Sequence, residues 1–177
     1  HLAAKKIISE NGIMRVPAVY LEFPNTDKRE LIEPEEVLQV SEVILEKKLH
    51  NIIPDILLVT NIGKIIVEIF VTHEIDLEKE EKIKKMGIPT IEIDLSKIDR
   101  NISEQELQDI LINENEHKVW IYNGKREAYY EKFLKVSEVK PVITRNYALH
   151  VDNCPIGKRV WKCNRYANLL YDCQGCD

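Results

Sequence analysis

Two apolar segments joined by a short polar turn constrain the fold of this chain more than any other feature. Residues 56–60 and 65–71 are rich in Ile, Leu and Val, which are typical of buried strands. Residues 61–64 between them include Asn and Gly, which suit a tight turn. The pattern therefore predicts an antiparallel hairpin.

A charged helix and a further strand are predicted directly after the hairpin. Residues 77–86 are rich in Glu and Lys, and Gly87 and Pro89 end the helix. Residues 90–95 form the next predicted strand. Because a helix of this length can serve as a crossover, we expect this strand to run parallel to the strand before it.

The remaining elements are predicted from local patterns of apolar, capping and turn residues. Residues 37–47 fit either a helix or a strand, and their Val and Ile content favours the strand. In a strand, alternation would place these residues on one face: Leu38, Val40, Glu42, Ile44 and Glu46. Ser103 and Glu106 form a capping box that starts a helix reaching about residue 114. Further helices are predicted at 2–9 and 124–136, further strands at 14–23 and 118–122, and a turn at 24–27.

The composition is that of a globular protein, and the order of elements indicates the α/β (α+β) class. The 177 residues are 44% hydrophobic and 31% charged. No apolar run approaches the ~20 residues that a membrane helix needs. The first eleven residues are polar and amphipathic, unlike a signal peptide. We therefore expect a cytoplasmic protein with no membrane partner and no organic cofactor.

Two carboxylates belong to the predicted hairpin. Asp55 follows Pro54 at the start of the first strand. Glu68 lies inside the second strand between Val67 and Ile69, and an acid in so apolar a strand is unusual because buried carboxylates need partners. The hairpin can bring Asp55 and Glu68 side by side at one end of the sheet. Oxygen ligands of this kind suit a hard cation such as Mg²⁺ or Mn²⁺, which can activate water for attack on a phosphate.

Further residues accompany the acidic pair of the hairpin: Pro54 before Asp55, Val-Glu-Ile-Phe-Val-Thr-His at 67–73, Lys79, Gly-Ile-Pro at 87–89 and Ile-Glu-Ile-Asp-Leu-Ser at 91–96. This ordered set resembles the PD-(D/E)XK nuclease superfamily, and in particular its competence protein CoiA-like branch. The resemblance covers about residues 1–96 and is strongest from residue 53 onward. It implies a restriction-endonuclease-like fold, with a mixed central sheet flanked by helices. It also implies a metal-dependent nuclease with DNA as the substrate, acting in DNA uptake, processing or defence.

One position departs from the superfamily motif. The motif has a lysine two residues after the acidic residue, where this chain has Phe70. Lys79 on the following helix is the best substitute for positioning the attacking water. Glu46 is a candidate third carboxylate. His73, at the end of the strand, is a candidate for proton transfer or phosphate binding.

Simpler interpretations exist for the same residues. Asp55 fits a turn cap, and Glu68 and Glu46 fit solvated positions. Lys79 lies in a charge run that is typical of an exposed helix face. Phe70 favours a second function, in which a degenerate nuclease fold binds nucleic acid or a protein partner, alone or within a larger assembly.

Four further polar residues flank these candidates. The resemblance includes a His and a Lys in the leading helix, where His1 and Lys5 lie one helical turn apart. Glu92 and Asp94 alternate with apolar residues and therefore share one face of their strand. We expect structural or supporting roles for Glu92 and Asp94.

The four cysteines are clustered near the end of the sequence and favour zinc. Cys173 and Cys176 form a tight C-x-x-C, and Cys154 begins what resembles half of a zinc knuckle. Cys163 would complete a four-thiolate structural Zn²⁺ site, with His150 as the alternative fourth ligand. The competing interpretations are a disulfide between Cys173 and Cys176 and a redox pair. Zinc is favoured because so small a segment needs a staple to fold.

Basic and aromatic residues are interleaved among the cysteines. Such a set can contact phosphates and stack on bases, which predicts nucleic-acid binding. The alternative is the small core of a zinc module with ordinary surface charges. The candidate nucleic-acid-binding residues are Lys158, Arg159, Trp161, Lys162 and Arg165.

Charge is distributed unevenly along the chain. Residues 1–116 carry 14 basic and 24 acidic residues, whereas residues 117–177 carry 11 basic and 6 acidic residues. The net charge of −5 therefore combines −10 with +5 and does not argue against a nucleic-acid partner. The expected domains are a nuclease-like core at 1–100, a helical extension at 101–140 and a zinc-binding module at 141–177.

Overall fold

The computed structural model describes residues 2–22, 29–72, 77–154 and 159–173. Within these ranges the architecture is α+β, with helices and a mixed sheet. No helix of the described residues has the length and apolar character needed to cross a membrane. Several predicted features lie outside the described residues, namely the turn at 24–27, His1, His73, Lys158 and Cys176.

The chain divides into two compact units. The first contains the described residues within 1–21 and 31–129, and the second contains those within 22–30 and 130–177. The segment 101–140, predicted as a helical extension, is thus divided between the two units.

Most of the elements up to residue 136 agree with the sequence prediction. The predicted strands at 56–60 and 118–122 and the helices at 77–86 and 124–136 have the bounds expected. In chain order the elements are α1 (Leu2–Glu10), β1 (Ile13–Val16), β2 (Val19–Glu22), β3 (Arg29–Glu33), β4 (Glu36–Leu45), β5 (Ile56–Thr60), β6 (Gly63–Phe70), α2 (Leu77–Met86), β7 (Thr90–Asp94), α3 (Glu104–Gln108), β8 (Lys118–Tyr122) and α4 (Gly124–Val136).

A six-stranded mixed sheet forms the centre of the first unit. Its spatial order is β1-β4-β5-β6-β7-β8. β6 and β7 are parallel, and the other neighbouring strands are antiparallel. The parallel pair is connected through α2, which confirms the predicted crossover, because parallel strands cannot be joined by a tight turn.

Helices cover both faces of this sheet. Ile7 of α1 belongs to the same buried cluster as Val67 of β6. Ile83 of α2 belongs to a second cluster with Ile66, the neighbour of Val67. Because successive strand residues point to opposite faces, α1 and α2 pack on opposite sides of the sheet. Burying each such side chain contributes about 1.5–3 kcal/mol, so both helices are firmly held.

The predicted strand at 14–23 is wrong as a single strand. It is divided into β1 and β2 around Pro17 and Ala18. Proline has no N–H group for a strand ladder, so the chain leaves the six-stranded sheet at this point. β2 then pairs with β3 in a separate two-stranded sheet.

The predicted strand at 37–47 is confirmed as β4, but its predicted shared face is wrong. The pairing with β5 shifts between Val40 and Glu42, which leaves one extra residue in β4. Such a bulge reverses the alternation beyond it. Val40 and Val43 therefore contact the cluster on the α1 side, whereas Ile44 contacts the cluster on the α2 side.

The predicted helix at 103–114 begins at its capping box, as expected. The Ser103 side chain accepts a hydrogen bond from the Glu106 N–H, and the Glu106 side chain accepts one from the Ser103 N–H. After α3 the hydrogen bonding becomes π-helical over Asp109–Asn113. This turn buries Leu111 and Ile112 against the cluster that contains α1.

A four-stranded antiparallel sheet forms the second unit, in the order β11-β12-β10-β9. Asn146 and Tyr147 form one of its tight turns, and Lys162 and Cys163 form another. All four residues have positive φ, as in type I′ hairpin turns. The strands are β9 (Val142–Arg145), β10 (Ala148–Asp152), β11 (Arg159–Trp161) and β12 (Asn164–Asn168).

Candidate metal centre

Asp55 and Glu68 lie side by side at one end of the β5–β6 hairpin. Ile56 pairs with Val67, so the next position along the register places Asp55 opposite Glu68. The Asp55 N–H donates to Glu68 Oε2 at 3.4 Å, and the Ile69 N–H donates to Asp55 Oδ2 at 3.0 Å. The two predicted metal ligands are therefore brought together by the hairpin.

Two lysines reach this acidic pair from opposite sides of the sheet. Lys5 Nζ of α1 lies 2.6 Å from Asp55 Oδ1. Lys79 Nζ of α2 lies 2.8 Å from Glu68 Oε2. Lys79 is the predicted substitute for the missing motif lysine, and it contacts the acidic pair from α2.

Glu46 joins the same network through Lys5. Its Oε1 accepts a hydrogen bond from Lys5 Nζ at 2.8 Å, and its N–H donates to the Asp55 carbonyl at 3.1 Å. Its φ of 49° lies in the left-handed region, which is unfavourable for a residue other than glycine. The Glu46 side chain is 63% exposed, whereas that of Glu68 is 4% exposed. Glu46 therefore lies at the solvent rim and Glu68 at the buried end.

The environments of the two central carboxylates shift their pKa values in opposite directions. Burial raises the pKa of Glu68, and the hydrogen bond from Lys79 offsets only part of this effect. Burial also acts to raise the pKa of Asp55, but hydrogen bonds from Lys5 and the Ile69 N–H outweigh it and lower that pKa. Burial acts to lower the pKa of Lys5, and its bonds to Asp55 and Glu46 reverse the sign. Two carboxylates whose pKa values are shifted in opposite directions can take different chemical roles.

One oxygen of Glu68 has no hydrogen-bond partner among the described residues. Glu68 Oε1 is buried and accepts no hydrogen bond from any residue within the described ranges. A buried acceptor left in this state costs about 1–3 kcal/mol. A hard divalent cation between Asp55 and Glu68 would satisfy this oxygen, so the donor set fits Mg²⁺ or Mn²⁺.

The acidic pair alone would make an incomplete cation shell. Within the described ranges, no three His, Cys, Asp or Glu side chains are grouped closely enough to hold a metal ion. Mg²⁺ commonly uses one or two carboxylates and takes its other ligands from water and substrate phosphates. A two-carboxylate centre is compatible with that behaviour.

Glu92 extends the row of acidic residues across the sheet. It pairs with Glu68 in the parallel β6–β7 register and is 6% exposed. Asp94 instead accepts a hydrogen bond from the Ser96 N–H at 2.8 Å, which closes the turn after β7. The alternation with apolar residues predicted that Glu92 and Asp94 share one face of the strand, but it did not predict the burial of Glu92.

Lys5 is the residue of this centre that local sequence patterns indicate least. Its side chain is 8% exposed and lies beside the buried Ala4 and Ile8 of α1. A lysine next to the apolar stripe of a helix can be predicted to be buried only when its carboxylate partner is known. Here the partners, Glu46 and Asp55, are 41 and 50 positions away in the sequence.

Two of the predicted zinc ligands lie at the same end of the four-stranded sheet. Cys154 follows β10, and Cys163 lies in the turn between β11 and β12. The Asn153 N–H donates to the Arg165 carbonyl at 2.8 Å, which places Cys154 beside the start of β12. Cys154 and Cys163 form no disulfide with a cysteine of the described residues.

The other predicted zinc ligands are placed differently. Asp172, the neighbour of Cys173, accepts a hydrogen bond from the Asn168 N–H at the opposite end of β12. Cys176 lies outside the described residues, and His150 lies within β10. The four-thiolate site stays a prediction, which zinc analysis of the purified protein can test.

Those predicted nucleic-acid-binding residues that the structure describes do not share one face of the four-stranded sheet. Arg159 and Trp161 share one face, and Arg165 points to the other, because their partners alternate along β12. Arg159 pairs with Asp172 at 2.5 Å. Lys162 Nζ lies 4.7 Å from the centre of the Trp161 ring.

Comparisons with known proteins do not bear on the identity of this centre. No family model matches the chain, and neither a curated protein nor a solved structure matches it. The chemistry of the centre is therefore inferred from its own residues.

Proposed function

We propose that this chain is a metal-dependent nuclease that hydrolyses phosphodiester bonds of DNA. The proposal rests chiefly on the pair of the half-buried Asp55 and the buried Glu68, in which one oxygen of Glu68 has no partner among the described residues. The lysine contact of Lys79 with Glu68 adds support, because such a group can orient water or phosphate. The resemblance of residues 53–96 to the CoiA-like branch points to the same chemistry.

The residues of the centre would have distinct roles. Asp55 and Glu68 would hold the cation, which when bound would lower the pKa of water and offset charge on the phosphate. Lys5 keeps Asp55 ionised and fixes its orientation through a 2.6 Å contact. Lys79 would position the attacking water or neutralise the phosphate. Glu46, at the exposed rim, would serve as a third carboxylate beside the centre, where it accepts a hydrogen bond from Lys5.

A non-catalytic nucleic-acid-binding module is the second candidate. Phe70 replaces the motif lysine and cannot carry charge. In addition, both carboxylates already have a lysine counter-ion, which could serve stability alone. In this function the chain would use the same fold and the basic residues 117–177 to bind nucleic acid, and it would not hydrolyse it.

Cleavage of supercoiled plasmid separates the two functions. The wild-type chain should nick plasmid in Mg²⁺ or Mn²⁺, and Asp55→Ala should reduce the rate by at least about a hundredfold, since the cation contributes several kcal/mol. Glu42→Gln is the matched control, because Glu42 is an exposed acid of β4. Equal cutting by wild type and Asp55→Ala would indicate a contaminant. No cutting by wild type under any of these conditions would favour the binding module.

A further inference from the structure

One face of the four-stranded sheet carries a concentrated set of aromatic and polar side chains. The register places Arg145, His150, Tyr166 and Trp161 on the same face, with one residue from each of the four strands. These side chains, together with Asn146, line an open pocket of about 710 Å³. Pockets of this size commonly hold small organic groups.

Trp161 and Arg145 both line this pocket and lie against each other. Trp161 is 51% exposed, and the Arg145 guanidinium lies 5.4 Å from the centre of the Trp161 ring. The two residues belong to the edge strands β9 and β11, whose backbones are about 14 Å apart. Their side chains extend toward each other over the face of the sheet. Arg145 is fixed by a two-fold contact with Asp152, including a bond of 2.8 Å. Because Asp152 offsets its charge, Arg145 is suited to stacking more than to phosphate binding.

His150 supplies a polar group deeper in the pocket. Its ring meets Tyr166 edge-on, with 5.3 Å between ring centres. His150 Nδ1 is buried and has no hydrogen-bond partner among the residues that the structure describes. A buried ring nitrogen in this state can bind a ligand group without first losing a protein contact.

We propose that this pocket binds one unpaired base of a single-stranded nucleic acid. The base would stack on Trp161, and its edge would form a hydrogen bond with His150 Nδ1 after the imidazole ring turns this buried atom toward the pocket. Lys162, beside the Trp161 ring, would contact the adjoining phosphate. A base inside a duplex is stacked on both faces and cannot enter, so the pocket selects single strands. The inference rests on the proposed function only in taking nucleic acid as the ligand.

Binding of a fluorescently labelled dT12 oligonucleotide tests this inference, measured by anisotropy without added divalent metal. Single-stranded dT12 should bind more tightly than its duplex with dA12. Trp161→Ala should weaken dT12 binding by about fivefold or more, since one base-stacking contact is lost. Trp161→Phe should retain most of the affinity. Tyr171→Ala is the matched control, because Tyr171 is an exposed aromatic residue of the same unit that does not line the pocket.

A second measurement avoids any effect of a variant on folding of this unit. The chain has two tryptophans, so Trp120→Phe leaves Trp161 as its only one, and Trp120 belongs to the other unit. Titration with dT12 should quench Trp161 fluorescence in this variant. Absence of quenching, or Trp161→Ala binding equal to that of wild type, would overturn the inference.

The outcome is separable from that of the cleavage assay. A chain that binds dT12 through Trp161 but cuts no plasmid would contradict the proposed nuclease and support this pocket. A chain that cuts plasmid but shows no Trp161-dependent binding of dT12 would support the nuclease and contradict this pocket.

Discussion

At the residue scale, Lys5 joins the leading helix to the acidic centre. Its ammonium contacts Asp55 and Glu46 at 2.6 and 2.8 Å from a nearly buried position. Such a cation cannot be removed alone without leaving a carboxylate uncompensated. The sequence could place Asp55 beside Glu68 because the hairpin is local. It could not place Lys5 beside them, because that contact depends on how α1 packs on the sheet.

Replacing Lys5 with methionine should therefore destabilise the fold. Lys5→Met is expected to lower the free energy of unfolding by about 3 kcal/mol, because Asp55 would lose its buried counter-ion. Lys6→Met should change it by less than about 0.5 kcal/mol, because Lys6 is exposed on the same helix. Urea unfolding followed by circular dichroism measures both. Equal destabilisation by the two variants would show that the ion pairs of Lys5 contribute little.

At the element scale, α2 delivers Lys79 to Glu68, and its end is fixed by one glycine. Gly87 has a φ of +68°, and its N–H donates to the carbonyls of Ile83 and Lys84. This left-handed residue lets the chain turn directly into β7. The position of Lys79 therefore depends on a helix whose C-terminal end is fixed by the backbone conformation of Gly87.

Gly87→Ala should destabilise the chain by about 1 kcal/mol, because alanine is strained in the left-handed region. A side chain there would meet the Tyr122 hydroxyl only at ordinary contact distance, so backbone strain is the main cost. Gly12→Ala is the control, since Gly12 has open space and no left-handed φ. Thermal unfolding compares the variants. A Gly87→Ala midpoint no lower than that of Gly12→Ala would contradict this explanation of the helix end.

The elements that the sequence predicts well are those with local signals. β5, β6 and α2 follow from apolar runs, a turn with Asn and Gly, and a glycine stop. The bulge in β4 and the π-helical turn at Asp109–Asn113 were not predicted. Both depend on partners elsewhere in the chain. The same is true of the pocket at Trp161, because its residues meet only once the register of four strands is known.

At the scale of the whole molecule, charge and chemistry divide along the sequence. The acidic first part contains Asp55 and Glu68, and residues 117–177 carry a net charge of +5. An acidic centre repels a polyanion unless a cation is bound, whereas basic residues attract it. The charges therefore suit the proposed function, in which the acidic part would cut nucleic acid and residues 117–177 would bind it.

Mn²⁺ binding measured by isothermal titration calorimetry tests the acidic pair most directly. Wild type and Glu42→Gln should bind Mn²⁺ at one site per chain, and Glu68→Gln should lose at least about tenfold in affinity. Wild-type affinity should rise with pH through the raised pKa of Glu68, because the proton held there competes with the cation. Glu68→Gln should lack this pH dependence. Equal Mn²⁺ affinity in wild type and Glu68→Gln would contradict the proposed metal centre.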